Sequence, residues 1–123
     1  MATSPSQKTG QRGEQIAADY LRNKGYAVIA QNWHCTYGEI DIVAQYQDTL
    51  VFVEVRSRHT ETTEVAFESI TARKRERMVN SAYVYLEAQG LSTETLWRID
   101  VIGIALPRSG SPTIDHVENA LGW

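Results

Sequence analysis

The sequence predicts a single α/β domain in which helices flank a central mixed β-sheet. Three observations predict this class: segments with apolar residues at helical spacing, segments with apolar or alternating residues typical of strands, and the interspersion of the two along the chain. With 123 residues, the chain has room for one hydrophobic core rather than two. Residues 1–9 lack such a pattern and are expected to form a flexible arm, so the domain is predicted over residues 10–123.

The first half of the domain is predicted as one helix followed by three strands. Four apolar residues recur at helical spacing within residues 13–24, and Gly25 follows as a helix stop. Residues 26–33 are rich in apolar and β-branched side chains, which predicts a strand. In residues 38–46 and 50–57, side chains of the two faces alternate as in strands, and a short polar turn separates the two segments. We expect them to form a hairpin.

The second half is predicted as a loop, a helix and one or two strands. Residues 58–70 are polar and irregular, as expected of a loop. Thr71 can cap a second helix, which carries a buried apolar stripe and ends at Gly90. Residues 96–106 are strongly apolar, which predicts a central strand, and residues 113–118 are expected to add a short edge strand.

Composition excludes several classes of protein. No stretch approaches the roughly 18 to 20 apolar residues that a membrane span needs, and the N-terminus lacks the apolar core of a secretory signal. The single cysteine, Cys35, excludes an internal disulfide and a multi-cysteine zinc site, and is typical of a reducing, cytoplasmic compartment. A net charge of −3 argues against a protein that coats nucleic acid.

One segment departs from this acidic average. Residues 71–80 hold four basic side chains and one acidic side chain, an excess of three positive charges. Arg73 and Lys74 would lie in the first turn of the second helix, where basic groups oppose the helix dipole. Phosphate contact would explain that position, and a merely solvated helix face would explain it equally well.

The predicted hairpin carries more charge than a half-buried sheet needs. Alternation puts Glu39, Asp41 and Val43 on one face of the first strand, and puts Glu54 and Arg56 together on the second. A turn centred between residues 47 and 48 then places Asp41 opposite Glu54 and Glu39 opposite Arg56. Opposed carboxylates destabilise a strand pair unless a proton or a cation lies between them.

Two interpretations of this hairpin remain open from the residues alone. Asp41 and Glu54 suit a hard divalent cation such as Mg²⁺, which would acidify bound water beside a phosphate that Arg56 also contacts. Alternatively, the charges serve the sheet alone, with Glu39 and Arg56 in a cross-strand salt bridge; we expect this salt bridge of Glu39 in preference to a role as an outer metal ligand. For Asp100, in the last long strand, we expect a structural pairing with Arg98 or with a helix residue.

Several short motifs add a resemblance to a known family. The chain resembles the YraN family of mainly bacterial proteins over residues 10 to the C-terminus. The motifs that carry the resemblance are G-x-x-G-E at 10–14, N-W at 32–33, G-E-I-D at 38–41, F-V-E-V-R at 52–56, R-K at 73–74, R-I-D-V-I at 98–102 and the terminal H-V-E-N-A-L-G-W.

That family is similar to restriction-endonuclease-like nucleases of the PD-(D/E)XK type, Holliday junction resolvases in particular. The resemblance implies a restriction-endonuclease-like fold of order αβββαβ. It also implies a catalytic group of Glu14, Asp41, Glu54 and Arg56, in which the three acids and the Val55 backbone carbonyl bind Mg²⁺ or Mn²⁺. Arg56 stands where the family usually has lysine; it keeps the positive charge but cannot readily lose a proton.

The resemblance therefore leads to two functional hypotheses. The first is a metal-dependent endonuclease acting on DNA, by analogy on branched or structured DNA; the same analogy with resolvases, which act as symmetric dimers, makes a homodimer possible. The second is a nuclease-fold protein with weak or no catalysis that binds nucleic acid or serves as an adaptor. In the first, five basic residues would position the nucleic-acid backbone: Arg58, Arg73, Lys74, Arg75 and Arg77. In the second, Arg73 and Lys74 are expected to contribute to binding.

Overall fold

A five-stranded mixed sheet with helices on both faces forms the centre of the protein. The structure is a computed structural model that describes residues 4–120. Residues 1–3 of the predicted arm and residues 121–123 of the predicted domain lie outside the described residues. The elements in chain order are α1 (Pro5–Asn23), β1 (Ala27–Cys35), β2 (Gly38–Tyr46), β3 (Thr49–Arg58), α2 (Glu64–Glu68), α3 (Ala72–Ala88), β4 (Trp97–Ala105) and β5 (Thr113–Val117).

The sheet has the strand order β1-β2-β3-β4-β5, with β3 and β4 parallel and the other neighbours antiparallel. Ala17 and Leu21 of α1 pack with the apolar side chains of one sheet face, and Ala82 and Tyr85 of α3 pack with those of the other. The predicted fold class, a mixed sheet flanked by helices as in restriction-endonuclease-like proteins, is confirmed. Strand β5 is the additional edge strand that the sequence predicted over residues 113–118.

Helix α1 begins earlier than the apolar pattern indicated. Its first residue is Pro5, so residues 5–9 of the expected arm are helical instead. Ser4 caps the helix reciprocally: its hydroxyl accepts a hydrogen bond from the Gln7 backbone N–H, and the Gln7 side chain accepts one from the Ser4 N–H. A capping box with proline in the first turn can start a helix without an apolar stripe.

The predicted loop over residues 58–70 contains the short helix α2. Phe67 of α2 lies against β4 at Gly103, where an added Cβ would come within 2.8 Å of the phenyl ring. The Thr63 hydroxyl, just before α2, donates a hydrogen bond to Asp115 of β5. Five helical residues carry too little periodicity to stand out in sequence, and these tertiary contacts position the helix.

Asp100 on β4 forms a buried polar network, as the sequence suggested. Its carboxylate accepts hydrogen bonds from Arg98 Nε at 2.9 Å, His116 Nε2 at 2.8 Å and the Asn119 backbone N–H at 2.9 Å. Arg98 also donates to the Tyr26 hydroxyl at 2.9 Å. The expected pairing of Asp100 with Arg98 is confirmed, and it ties β5 and the segment after it to the sheet.

Candidate active site

The β2–β3 hairpin has the predicted register as far as the ladder extends. Tyr46 pairs with Thr49 across the turn, and pairing continues to Ile42 opposite Val53. The ladder stops there, one pair short of the expected Asp41–Glu54 pair. Asp41 Oδ2 accepts a hydrogen bond of 2.8 Å from the Val55 backbone N–H, so the side chain takes up a donor beyond the end of the ladder.

The side chains of strand β2 stop alternating regularly between the two faces of the sheet at the same place. Ile40 and Val43 both pack with the α3-side core, whereas Ile42 packs with the α1-side core. Strict alternation between 39 and 43 is therefore wrong, and Asp41 lies where the period of two fails. Such irregularities redirect side chains and are common beside functional sites. The expectation that Glu39, Asp41 and Val43 share one face rested on unbroken alternation.

Helix α1 brings a third acid to this point. Gly13 of α1 lies against Ser57 of β3, and the next residue is Glu14. Carboxylate oxygens of Glu14, Glu39 and Asp41 all lie within 4.8 Å of one another. Asn32 of β1 bridges two of them, because its Nδ2 donates to Glu14 Oε2 at 2.7 Å and to Glu39 Oε1 at 2.5 Å. The helix acid and the strand acid that the resemblance paired are thus neighbours.

The expected salt bridge between Glu39 and Arg56 is wrong. Arg56 Nη1 instead lies 3.4 Å from Glu54 Oε1, two residues away on the same strand, and Arg56 Nε donates to Ser69 Oγ at 2.8 Å. The bridge to Glu39 needed the ladder to continue past Ile42, which it does not do. Glu39 instead shares the Asn32 amide with Glu14, and its carboxylate lies within 4.8 Å of that of Asp41.

Burial and mutual repulsion make the acids hold protons more tightly than usual. Burial, and then the charge of Glu54, raise the pKa of Asp41 well above its usual value. Burial also raises the pKa of Glu54, although Arg56 and a hydrogen bond with Asp41 lower it in part. For Glu14, burial raises the pKa, the Asn32 hydrogen bond lowers it and the charge of Glu39 raises it. A cation among these groups would relieve the repulsion.

Two open cavities meet at Glu54 and Arg56. A cleft of about 620 Å³ lies on the α1 side and includes Glu14 and Asp41, while a smaller cavity of about 180 Å³ on the α3 side includes Glu39. Glu54 and Arg56 line both. The acidic site is therefore reached from both faces of the sheet, at the point where β2 and β3 cease to pair.

The predicted nucleic-acid-binding residues divide into separate positions. Lys74 and Arg77 line the smaller cavity, whereas Arg73 and Arg75 are exposed elsewhere on the same helix. Arg58 lines the larger cleft and donates to the Ser57 carbonyl at 2.7 Å. Desolvation, and then the charges of Arg56 and Arg58, lower the pKa of Lys74, whereas the charge of Glu54 raises it.

The donor set fits a hard divalent cation. Carboxylate oxygens are the ligands that Mg²⁺ and Mn²⁺ prefer, and three of them lie together beside a fourth acid, Glu54. Glu39, for which the sequence favoured a salt bridge over a role as an outer ligand, is part of this group. Asn32 was not predicted as a site residue; the signal available in the sequence was its place in the N-W motif at 32–33.

Comparisons with known proteins agree with the family resemblance. The model of the uncharacterised protein family UPF0102 matches residues 13–104. The chain belongs to this family, which is the YraN family. It is 47% identical over 119 residues to a UPF0102 protein of Chloroflexus aurantiacus, covering 97% of each chain.

Two further relatives are similar to this chain over more than nine-tenths of its length. A UPF0102 protein of Roseiflexus castenholzii is 44% identical over 115 residues, with 93% of each chain covered. One from Pseudomonas aeruginosa is 39% identical over 116 residues, covering 94% of this chain and 93% of the relative. Both the α1 acid and the hairpin acids lie within the segment that the family model matches.

Within residues 4–120, no helix combines the length and the apolar character that crossing a bilayer requires.

Proposed function

We propose that this UPF0102 protein is a metal-dependent endonuclease that acts on DNA in the cytoplasm. The observation that carries the proposal is the convergence of Glu14, Glu39 and Asp41 within 4.8 Å, beside the half-buried Glu54. Carboxylates gathered this closely repel one another, and the structure of the sheet alone gives no reason to keep them together. Branched or otherwise structured DNA is the proposed substrate, by analogy with the resolvases that the family resembles.

The chain's own acids would hold the cation. Asp41, Glu54 and Glu14, with the Val55 carbonyl, form the ligand set that the resemblance implies, and the position of Glu39 makes it an additional candidate. When bound, Mg²⁺ or Mn²⁺ would supply Lewis-acid stabilisation of charge on the scissile phosphate. The raised pKa values of the acids support this role, because a cation would offset the burial and the mutual repulsion that raise them.

The basic residues around the two cavities would orient the DNA. Arg56 presents its guanidinium at the junction of both cavities and is suited to a phosphate oxygen, where two N–H donors can act together. Lys74 and Arg77 extend the positive charge along the smaller cavity, and Arg58 does so in the larger one. These side chains would position the backbone without reading base sequence.

Arg56 also favours a second candidate function. Its ion pair with Glu54 and its hydrogen bond to Ser69 hold the guanidinium between the acids and α2, a role that serves structure without catalysis. A protein that kept the nuclease fold and binds nucleic acid, or acts as an adaptor, would retain this arrangement. Arginine cannot readily serve as a general base, so proton removal would need another acceptor.

Calorimetric titration of Mn²⁺ and Mg²⁺ separates these possibilities at the first step. We expect binding by the unmodified protein and strong loss of affinity in Asp41→Asn and Glu54→Gln. Equal weak binding in all three would remove the metal site. Asp48→Asn, in the exposed hairpin turn, is the matched control because it makes the same change outside the site.

Cleavage assays then test the reaction. Labelled linear, flap and four-way-junction DNA are incubated with the protein and Mn²⁺ or Mg²⁺. Metal-dependent products that vanish in Asp41→Asn support the endonuclease, and Arg56→Lys is expected to increase their rate. Metal binding with no cleavage by either version, but with retention of DNA, would favour the binding protein.

A further inference from the structure

We infer that Asn32 is a positioning residue that holds Glu14 and Glu39 in place for the cation. The inference rests on the proposed function, since it concerns the same acidic site. Asn32 lies on β1, Glu14 on α1 and Glu39 on β2, and the single side-chain amide connects the three elements.

The hydrogen bonds fix the orientation of the amide. Ionised carboxylates only accept hydrogen bonds, so the Asn32 atom that contacts both glutamates has to be the nitrogen. Its two hydrogens match the two acceptors, at 2.7 Å to Glu14 Oε2 and 2.5 Å to Glu39 Oε1. Each glutamate is engaged through one oxygen, which leaves its other oxygen for a different partner.

The backbone supports the same geometry. Asn32 has a φ of 52°, in the left-handed region, although it lies inside a strand. Among residues other than glycine, asparagine is one of the few that enter this region readily. The left-handed conformation at this position is therefore one that asparagine adopts at little cost.

The neutrality of the amide is the physical reason for its role. Lysine or arginine at this position would also bridge two glutamates, but its charge would compensate theirs and compete with a divalent cation. An amide orients both carboxylates through its dipole and leaves their combined charge available. Groups that orient metal ligands in this way typically contribute 10- to 100-fold to metal affinity.

A purely structural role is a weaker explanation. Asn32 and Glu39 are both exposed, and hydrogen bonds at exposed positions contribute little to folding because water can replace them. Loss of the amide should therefore have little effect on stability while it weakens cation binding. The two roles thus predict different results for one substitution.

Asn32→Gly is the deciding variant, because glycine keeps the left-handed backbone and deletes only the amide. Gln47→Gly is its matched control: Gln47 has a φ of 53°, is exposed in the hairpin turn and lies outside the acidic group. Mn²⁺ affinity is measured by calorimetry, and stability by urea unfolding with EDTA. We expect a 10- to 100-fold loss of affinity in Asn32→Gly alone. Affinity within twofold of the unmodified protein would overturn the inference.

A second measurement separates this inference from the proposed function. Three-bond NMR couplings report the χ1 rotamers of Glu14 and Glu39 in the metal-free protein. We expect each glutamate to occupy a single χ1 rotamer in the unmodified protein and in Gln47→Gly. In Asn32→Gly, we expect couplings averaged over several rotamers. If the unmodified protein binds no Mn²⁺, the metal site fails, and unchanged rotamers in Asn32→Gly would then reject the positioning role as well.

Discussion

Gly13 of α1 and Ser57 of β3 touch so closely that no side chain fits between them. An added Cβ on Gly13 would come within 1.6 Å of Ser57 Oγ and 2.8 Å of Ser57 Cβ. The contact draws the helix onto the sheet one residue before Glu14, and so helps to bring that acid to Asp41. A glycine in a helix interior otherwise costs about 0.5–1 kcal/mol relative to alanine, and here close packing offsets that cost.

Gly13→Ala is expected to destabilise the protein and to weaken cation binding. Overpacking typically costs about 1–3 kcal/mol, because the helix has to move away from β3. Gly10→Ala is the matched control on the same helix: nothing lies within 4 Å of its added Cβ, so it should be neutral or slightly stabilising. Urea unfolding with EDTA measures both, and equal effects of the two variants would contradict the role of the contact.

Asp41→Asn is expected to stabilise the metal-free protein at high pH. The folded-state pKa of Asp41 is raised, so the stability linked to its protonation is present at low pH and is lost as pH rises through the folded pKa. Asparagine keeps an oxygen for the Val55 N–H and removes the charge. Each unit of pKa shift corresponds to about 1.4 kcal/mol. Near pH 8, the free energy of unfolding of Asp41→Asn should therefore exceed that of the unmodified protein by at least this amount.

Unfolding in urea and EDTA between pH 5 and 8 measures this effect. The difference between Asp41→Asn and the unmodified protein should shrink as pH falls, because Asp41 is then protonated in both the folded and, increasingly, the unfolded state. Asp48→Asn provides the baseline, as an exposed aspartate in the neighbouring turn. A difference that stays constant with pH would show that the charge of Asp41 is not the cause.

Much of the fold was predictable because its local signals agree. The hairpin register followed from the turn position, and Thr71 caps α3 as predicted, accepting a hydrogen bond from the Lys74 N–H. Apolar periodicity could not locate the start of α1, because residues 5–12 carry no apolar stripe. The Ser4–Gln7 capping box was present in the sequence and would have located it.

The site was predictable only in part, because its details depend on where a ladder ends. The neighbouring positions of Asp41 and Glu54 could be predicted from the hairpin. The partners of Glu39 could not, since strict alternation assigned it to Arg56, whereas the irregularity at Asp41 leaves it beside Asn32. Contacts between distant segments, such as those that Asn32 makes with α1 and β2, have no signature in a local pattern.

Asp100→Asn is expected to destabilise the protein by about 3–5 kcal/mol, the usual cost of breaking a buried ion pair. The Asp100 side chain is fully buried and faces donors from Arg98, His116 and Asn119. An amide nitrogen there would meet donors instead of offering an acceptor. Burial alone would raise the pKa of Asp100, but these hydrogen bonds together lower it, so its contribution is lost only as pH falls through the folded pKa.

Urea unfolding at pH 7 measures the effect of Asp100→Asn. Asp115→Asn is the control on β5, since Asp115 is exposed and asparagine can still accept the Thr63 hydrogen bond. We expect a change within about 0.5 kcal/mol for this surface position. Comparable losses in the two variants would show that the buried network does not carry the stability.

The salt dependence of DNA binding should distinguish the basic residues that line the smaller cavity from those that do not. Lys74 and Arg77 line it, whereas Arg73 and Arg75 are exposed on the same helix. Each phosphate contact contributes about 0.9 to the slope of log affinity against log salt concentration. Lys74→Gln with Arg77→Gln should therefore reduce the slope by about 2, and Arg73→Gln with Arg75→Gln should change it much less.

Both double variants remove two positive charges from one helix, so the overall charge of the protein is matched. Binding of a labelled four-way junction, titrated at several salt concentrations in EDTA, gives the slopes without cleavage. Equal reductions by the two pairs would mean that the helix attracts DNA through its general field. A selective effect of Lys74 and Arg77 would instead place a phosphate in the smaller cavity, next to Glu54 and Arg56, where the proposed reaction requires it.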